Sequence, residues 1–340
     1  MRKVQLKTPY LLYLGDVPDD HHAKTGHGIA YWRRDKCAGQ MRLPGCPVDI
    51  GLPELDVAGA VDAGVGTAII GVASVGGVLL DSWIPALVAL AEAGIDIAAG
   101  THARLRDNAA LFEAAKTGGA RLIDVREPPP GIEVGTGIKR SGKRVLMVGT
   151  DCAVGKKFSA LALHRELTGR GVHADFRATG QTGIMIAGEG MPIDAVVADF
   201  VSGAAEQLSP DNAADHWDII EGQGSLLHPG YAAVSLGLLQ GSQPDAIVLC
   251  HRAGLDFLDT ADVQVEIPPL NEVAETALRL VQVTNPNCAW AGISLDTSQM
   301  SAEHRSGYLA DVSGKFGLPC VDPVATGMAG IADFLLENCA

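Results

Sequence analysis

Lys143-Arg144-Val145-Leu146-Met147-Val148-Gly149-Thr150-Asp151-Cys152-Ala153-Val154-Gly155-Lys156-Lys157 is the stretch that decides the fold. An apolar β-type run, Val145 to Val148, enters a turn closed by two glycines, and a helix-compatible segment, Phe158 to Leu167, follows. Strand, glycine-rich loop and helix in that order make a phosphate cradle. Backbone N–H groups of the loop and of the helix N-terminus point at the anion, and the helix dipole adds positive potential. Gly149 and Gly155 permit torsions that other residues resist and let the phosphate approach closely. Lys156 supplies a point charge.

The spacing departs from the common form. Five residues separate Gly149 from Gly155 where four are usual, and Lys157 stands where Ser or Thr is usual. That hydroxyl ordinarily ligates Mg²⁺. An ammonium group has no lone pair to offer a metal and repels it, yet it neutralises phosphate directly. Ser159 lies two residues further on, on a different helix face. The loop, Gly149, Thr150, Asp151, Cys152, Ala153, Val154, Gly155, Lys156 and Lys157, therefore reads as the seat of a phosphorylated cofactor more readily than as an ATPase site. Its Gly-Thr-Asp opening is similar to the P-loop of dethiobiotin synthetases.

Working outward, 340 residues suffice for two domains, and a chain 47% hydrophobic and 19% charged can bury sizeable cores. Aromatics are only 5% against 41 glycines, which suits helices packed closely on parallel sheets. A formal net charge of −14 argues against general nucleic-acid or anionic-membrane binding. Seven scattered cysteines without a C-x-x-C pair suit a reducing compartment, and the N-terminus shows no secretion signal, so a cytoplasmic location is expected. Ala63 to Leu80 carries no charge, but its five glycines with Thr67 and Ser74 favour a buried strand and loop over a membrane span.

Before the cradle, strands are expected at Tyr10 to Leu14, Ala68 to Val72, Ile95 to Ala98 and Arg121 to Val125. Helices are expected from a Ser82 cap to about Ala93 and over Asn108 to Lys116. This alternation predicts a small parallel sheet, Rossmann-like in layout, without a G-x-G-x-x-G fingerprint. Gly15 to Gly28 reads as a polar loop after a strand, with Lys24 and Arg33 placed to receive an acidic substrate. Its histidines match no familiar zinc spacing. Glu127-Pro128-Pro129-Pro130-Gly131 is a stiff connector, dividing the chain into residues 1–130 and a P-loop NTPase-like parallel-sheet domain over 131–340.

In that second domain Val172 to Arg177 reads as a strand. A polar glycine turn and an apolar run follow, through Ile186. Asp199 sits inside the apolar segment Ala195 to Gly203, as either a buried functional carboxylate or a cap. Trp217 to Glu221 ends a strand in an acid, followed by Gly222-Gln223-Gly224-Ser225, and such an acid faces the phosphate site. His228 follows in the next turn. Asp245 to Cys250 is a strand that delivers His251 and Arg252 to the same edge.

With these pieces placed, the chain resembles the DUF1611 family. The matching stretches are Gly15 to Gly28, Gly149 to Lys157, Thr179-Gly180-Gln181-Thr182-Gly183, Asp199 to Glu206 and Glu221 to Leu226. The resemblance implies a Rossmann-like domain followed by a P-loop domain over nearly the whole chain. It also implies, from the members most similar to it, an N-acetyltransferase that moves acetyl from acetyl-CoA to D-glutamate, partnered in metabolism by an N-acetyl-D-glutamate racemase. Coenzyme A carries phosphates that two lysines can hold without a metal, so no metal is expected. Acetyl transfer needs a base to free the substrate amine, and Asp199, Glu221, His228 and His251 are candidates. Ser225 or backbone amides could meet the oxyanion. Lys24, Arg33, Arg177 and Arg252 are candidate forks for an acidic amino acid's carboxylates. A homo-oligomer is expected. A Mg-ATP-dependent ligase or kinase and a nucleotide-sensing module remain alternatives.

Overall fold

The computed structural model describes residues 2–73, 75–260 and 263–339. Ser74 of the uncharged run falls outside them. The chain forms two compact units, one of residues 2–128 with 181–192, the other of residues 129–180 with 193–340. They part within the proline run.

The first unit holds five parallel strands, β1 (Tyr10–Gly15), β2 (Cys37–Arg42), β3 (Thr67–Ile70), β4 (Asp96–Ala99) and β5 (Leu122–Asp124), in the order β2-β1-β3-β4-β5. Strands β1, β3 and β4 are buried throughout, as expected of a parallel sheet covered on both faces. Its helices are α1 (Lys24–Trp32), α2 (Val57–Asp62), α3 (Ile84–Glu92) and α4 (Ala109–Gly118). Asn108 caps α4 by accepting the Leu111 N–H, and Gly119 ends it in the left-handed region.

Three sequence expectations change here. The stretch read as a polar loop folds from Lys24 onward into α1. Two glycines lower its helix propensity, but Gly26 permits a backbone contact, its N–H donating to the Gly71 carbonyl at 2.8 Å. A Cβ at Gly26 would lie 2.9 Å from Leu14 Cδ2. Ser82 does not cap α3. A 3₁₀ turn over Asp81–Trp83 leads into the helix, and Trp83 Nε1 donates to Asp16 at 2.7 Å. The apolar run ending at Ile186 is a helix, α6 (Gln181–Ala187), that packs on α1 in the first unit. The Arg2–Lys3 strand pairs with Glu189–Gly190 beside it.

The second unit holds six parallel strands, β6 (Lys143–Gly149), β7 (Ala174–Arg177), β8 (Trp217–Ile220), β9 (Ala246–Arg252), β10 (Ala289–Asp296) and β11 (Cys320–Val321), in the order β11-β10-β9-β6-β8-β7. Its helices are α5 (Lys156–Gly169), α7 (Val201–Leu208), α8 (Ala232–Ser242), α9 (Leu270–Val281), α10 (Ala302–Phe316) and α11 (Ala329–Asn338). β6 lies where the strand order reverses, with β8 on one side and β9 on the other. The loops at the C-terminal ends of these strands converge on one crevice, where parallel sheets place their ligands. No helix among the described residues is long and apolar enough to cross a membrane.

Candidate active site

The turn after β6 is built as the glycines require. A Cβ at Gly149 would lie 2.6 Å from Lys156 Nζ and 2.9 Å from the Asp151 carbonyl oxygen. Gly155 caps α5 at φ +92°, and Ala153 is held at φ +51°, an uncommon conformation for alanine that marks the loop as over-determined by its surroundings. Lys156, 7% exposed, donates to the Asp151 carbonyl at 2.6 Å. Burial lowers its pKa, opposed by the fields of Cys152, Cys250, Asp151 and Glu221. Lys157, half-buried, turns its ammonium over the Phe158 ring at 5.4 Å. Ser159 is spent inside the fold, donating to the Gly155 carbonyl at 3.0 Å and sharing a 2.8 Å hydrogen bond with Ser294.

Of the four candidate bases, the structure brings Glu221, His228 and His251 to the edge where the cradle sits. Asp199 is exposed, in a 3₁₀ turn over Ala198–Phe200 that precedes α7, so the reading of a buried carboxylate is corrected. Val197 and Ala198 beside it are exposed as well.

Glu221 is 4% exposed and follows β8 directly. Its Oε2 accepts the Thr179 N–H at 2.9 Å and the Gly180 N–H at 3.1 Å. Burial raises its pKa from 4.5, opposed by those two backbone donors and by the charge of Lys157. Gly222 beside it has no room for a Cβ, which would lie 1.7 Å from the Met147 carbonyl.

His228 has both ring nitrogens engaged. Nδ1 accepts the Gly230 N–H at 3.0 Å, which puts the proton on Nε2, and Nε2 donates to the Asp259 carbonyl at 3.0 Å. Asp151 grips the same residue, its Oδ2 accepting the Asp259 N–H at 2.7 Å while Oδ1 accepts the Cys152 N–H at 2.6 Å. His228 is thus a clamp on the Asp259 backbone, not a base in waiting. Asp151, Cys152 and His228 bring ligand-type atoms within 4.8 Å of one another. Both Asp151 oxygens and both His228 nitrogens are taken, and the Lys156 ammonium sits on the same loop. That donor set does not fit a metal ion.

His251, 7% exposed, is different. Its Nδ1 shares a 2.8 Å hydrogen bond with Thr150 Oγ1, and Nε2 has no partner among the described residues. The ring lines a cavity of about 490 Å³ together with Leu255, Asp256, Phe257, Glu266, Ile267 and the Pro268-Pro269-Leu270 run. Burial lowers its pKa below 6.5, so the imidazole is neutral at neutral pH, with the field of Asp256 opposing in part. The stretch forming the cavity wall carried no periodic signal in the sequence. Only its place, directly after a strand that ends in His-Arg, pointed to it.

The expected substrate forks fare unequally. Arg252 adjoins the cradle, its Nη2 donating to the Ala153 carbonyl at 2.7 Å and its Nε lying 3.4 Å from Asp296. Arg177 is buried and turned away from the strand ends. Its Nε donates to Asp218 at 2.7 Å and its Nη2 to Asp175 at 2.9 Å, register partners that both lie two positions back from the strand ends at Ile220 and Arg177, so it is a structural ion pair. Asp175, His216 and Asp218 also cluster like metal ligands, but this guanidinium occupies their centre of charge. Ser225 is buried, its Oγ accepting the Leu227 N–H at 3.4 Å. Lys24 and Arg33 belong to the first unit. Lys24 opens α1 at the surface, and Arg33 Nε donates to the Ile186 carbonyl at 3.0 Å.

Known proteins resemble this chain over both units. Residues 133–332 match a family described as a domain of unknown function, DUF1611_C, P-loop domain. Residues 41–128 match DUF1611_N, a Rossmann-like domain. The chain is 47% identical over 333 residues to a D-glutamate N-acetyltransferase of Tritonibacter scottomollicae, covering 97% of this chain and 99% of that protein. It is 42% identical over 328 residues to a D-glutamate N-acetyltransferase of a Pseudoalteromonas species, covering 96% and 98%. The crystal structure of a DUF1611 family protein from Anabaena variabilis superposes with a TM-score of 0.87 at 30% identity, covering 98% of this chain and all of that one.

Proposed function

The chain belongs to the DUF1611 family and is an acyltransferase, and from that premise we propose that it moves an acetyl group from acetyl-CoA to the amine of D-glutamate. The observation that carries the mechanism is His251, a neutral imidazole tethered to Thr150 of the phosphate cradle and opening into the adjoining cavity.

The cradle fits the phosphates of coenzyme A. Loop amides, Lys156 and Lys157 supply positive potential, and Lys157 replaces the hydroxyl that a metal-dependent phosphoryl transfer would use. Acetyl transfer breaks no phosphate bond, so nothing is lost by that replacement. The pantetheine arm is flexible and would carry the thioester from the cradle into the cavity.

The amino acid arrives mostly as its ammonium form and must shed one proton to solvent before it can attack. The free amine then attacks the thioester carbonyl. The C–N bond forms, the C–S bond breaks, and His251 Nε2 takes the second nitrogen proton and returns it to the leaving thiolate. A base whose pKa lies near or below neutrality is deprotonated and ready at neutral pH. Glu221 orders the Thr179–Gly180 turn through two backbone hydrogen bonds. D-Glutamate made into its N-acetyl derivative is then a substrate for an N-acetyl-D-glutamate racemase.

The test is to incubate the protein with acetyl-CoA and D-glutamate and follow free thiol, with and without EDTA, alongside ADP release from Mg-ATP. Thiol release that survives EDTA is expected. ADP release without thiol release would identify a ligase or kinase, and neither product a nucleotide sensor.

A further inference from the structure

After His251 and Arg252 the chain leaves β9 and doubles back on itself. Phe257 and Glu266 form an antiparallel bridge, Leu258 N–H donates to the Val265 carbonyl at 2.8 Å, and Ile267 N–H donates to the Asp256 carbonyl at 2.8 Å. This ladder puts Asp256 and Glu266 on one wall of the cavity that His251 lines. Asp151 and His228 pin its far end through the backbone of Asp259. The wall is therefore held in place by the cradle itself.

The charges on that wall are one-sided. Among the described residues the cavity is lined by two carboxylates, one imidazole and otherwise apolar side chains, with no lysine or arginine. Neither Asp256 nor Glu266 has a side-chain hydrogen bond or ion-pair partner among the described residues. Arg252, the adjoining cation, is committed to Ala153 and Asp296. Beside the two acids stands the buried His251 ring, its Nε2 facing the same space without a partner among the described residues. Two solvent-exposed carboxylates on one wall give the cavity a negative potential that favours a positive group.

We propose that Asp256 and Glu266 form the seat of the substrate's ammonium group, so that the amino acid enters the cavity amine-first. The inference rests on the acetyl-transfer reading and deepens it. A dicarboxylic amino acid offers only one group that this wall attracts, and its two carboxylates are turned outward by repulsion. Amine-first entry brings the nitrogen to His251 Nε2, the buried imidazole acceptor of the cavity. The same wall rejects dicarboxylates that lack the amine, which would otherwise compete for a site built for an acidic substrate. Asp256 and Glu266 thus act as positioning and specificity residues, with the proton itself going to His251.

The experiment compares the wild-type protein with Asp256→Asn, Glu266→Gln and the double variant. Both side chains are exposed at the cavity mouth, so the fold tolerates the changes, and melting curves check this. KM is measured for D-glutamate and for acetyl-CoA, with glutarate as a competitor that keeps both carboxylates and lacks the amine. The double variant is expected to raise KM for D-glutamate about tenfold or more, since a charge-assisted hydrogen bond is lost, and to leave KM for acetyl-CoA within about twofold. Glutarate is expected to inhibit the variant more strongly than the wild type. An unchanged KM for D-glutamate in a folded variant, or weaker glutarate inhibition, overturns the ammonium seat while leaving acetyl transfer intact. Absence of any wild-type turnover overturns the transferase reading instead.

Discussion

Thr150 and His251 share a buried hydrogen bond of 2.8 Å between Oγ1 and Nδ1, joining the phosphate cradle at the end of β6 to the cavity at the end of β9. When Nδ1 carries the proton and donates it to Thr150, the Nε2 lone pair faces the cavity. Replacing His251 with Gln is therefore expected to lower kcat about a hundredfold or more, the usual worth of a positioned general base. Thr150→Val is expected to cost less and Thr150→Ser to restore most of the loss. Because burial lowers the His251 pKa, the ratio of wild-type to His251→Gln kcat/KM, in which the substrate amine's own titration cancels, should rise with pH through a value below 6.5 and then level off. A flat profile across that range, or a His251→Gln protein with near-native kcat, removes His251 from the chemistry.

The cradle makes a second prediction, which separates binding from catalysis. Lys156 contributes charge to the cofactor's phosphates, so Lys156→Ala is expected to raise KM for acetyl-CoA by about tenfold to a hundredfold, with a smaller effect on KM for D-glutamate. Turnover should be unaffected by EDTA and gain nothing from added Mg²⁺, because Lys157 occupies the hydroxyl position of a metal-using loop. Steady-state kinetics with metal-stripped protein checks both, and strict dependence on Mg²⁺ would contradict this account.

Glu221 gives a stability prediction with a definite sign. Its folded-state pKa is raised above 4.5 by burial, so its contribution to stability is full below 4.5 and is lost as pH rises through the folded value. His251 is shifted down, and its contribution is lost as pH falls, the opposite limb. Glu221→Gln removes only the first effect and keeps an oxygen to accept the Thr179 and Gly180 N–H groups. The melting temperature of the variant relative to the parent should therefore increase between about pH 4 and about pH 8. A difference that stays constant, or falls, across that range would show that Glu221 is not strained by its burial.

Much of this architecture was legible in the chain because parallel strands buried on both faces advertise themselves as apolar runs. The cradle, with its strand, two glycines and paired lysines, could be read residue by residue. So could the acid after Ile220 and the histidine at the end of β9. What escaped had opposite causes. Helix α1 carries Gly26 and Gly28, which depress propensity yet permit the backbone contact that holds the helix. The cavity wall, residues 255–260 and 263–269, has no periodicity because its two arms meet irregularly, through one isolated bridge and a few backbone hydrogen bonds. Asp199 and Arg177 were misplaced for a different reason. Position along a strand or an apolar run does not say which way a side chain turns, and here one turns to solvent and the other back under the sheet.

Arg177 supplies the sharpest separation between a binding and a structural role. Its side chain and that of Asp218 are 6% and 1% exposed, joined at 2.7 Å, with Asp175 capping the other end of the guanidinium. Removing one member of a buried pair leaves the other charge without a partner, which typically costs about 3–5 kcal/mol. Arg177→Met should therefore lower the unfolding free energy by about that amount, because Asp218 remains buried. The folded fraction should keep its KM for D-glutamate, since the guanidinium points away from the strand ends that carry His251. Pairing Arg177→Met with Asp218→Leu should recover much of the loss, as apolar replacement of a whole buried pair is often neutral. Had Arg177 served as a carboxylate fork, the single variant would instead hold its stability and lose substrate affinity, and denaturant titration together with steady-state kinetics tells the two apart.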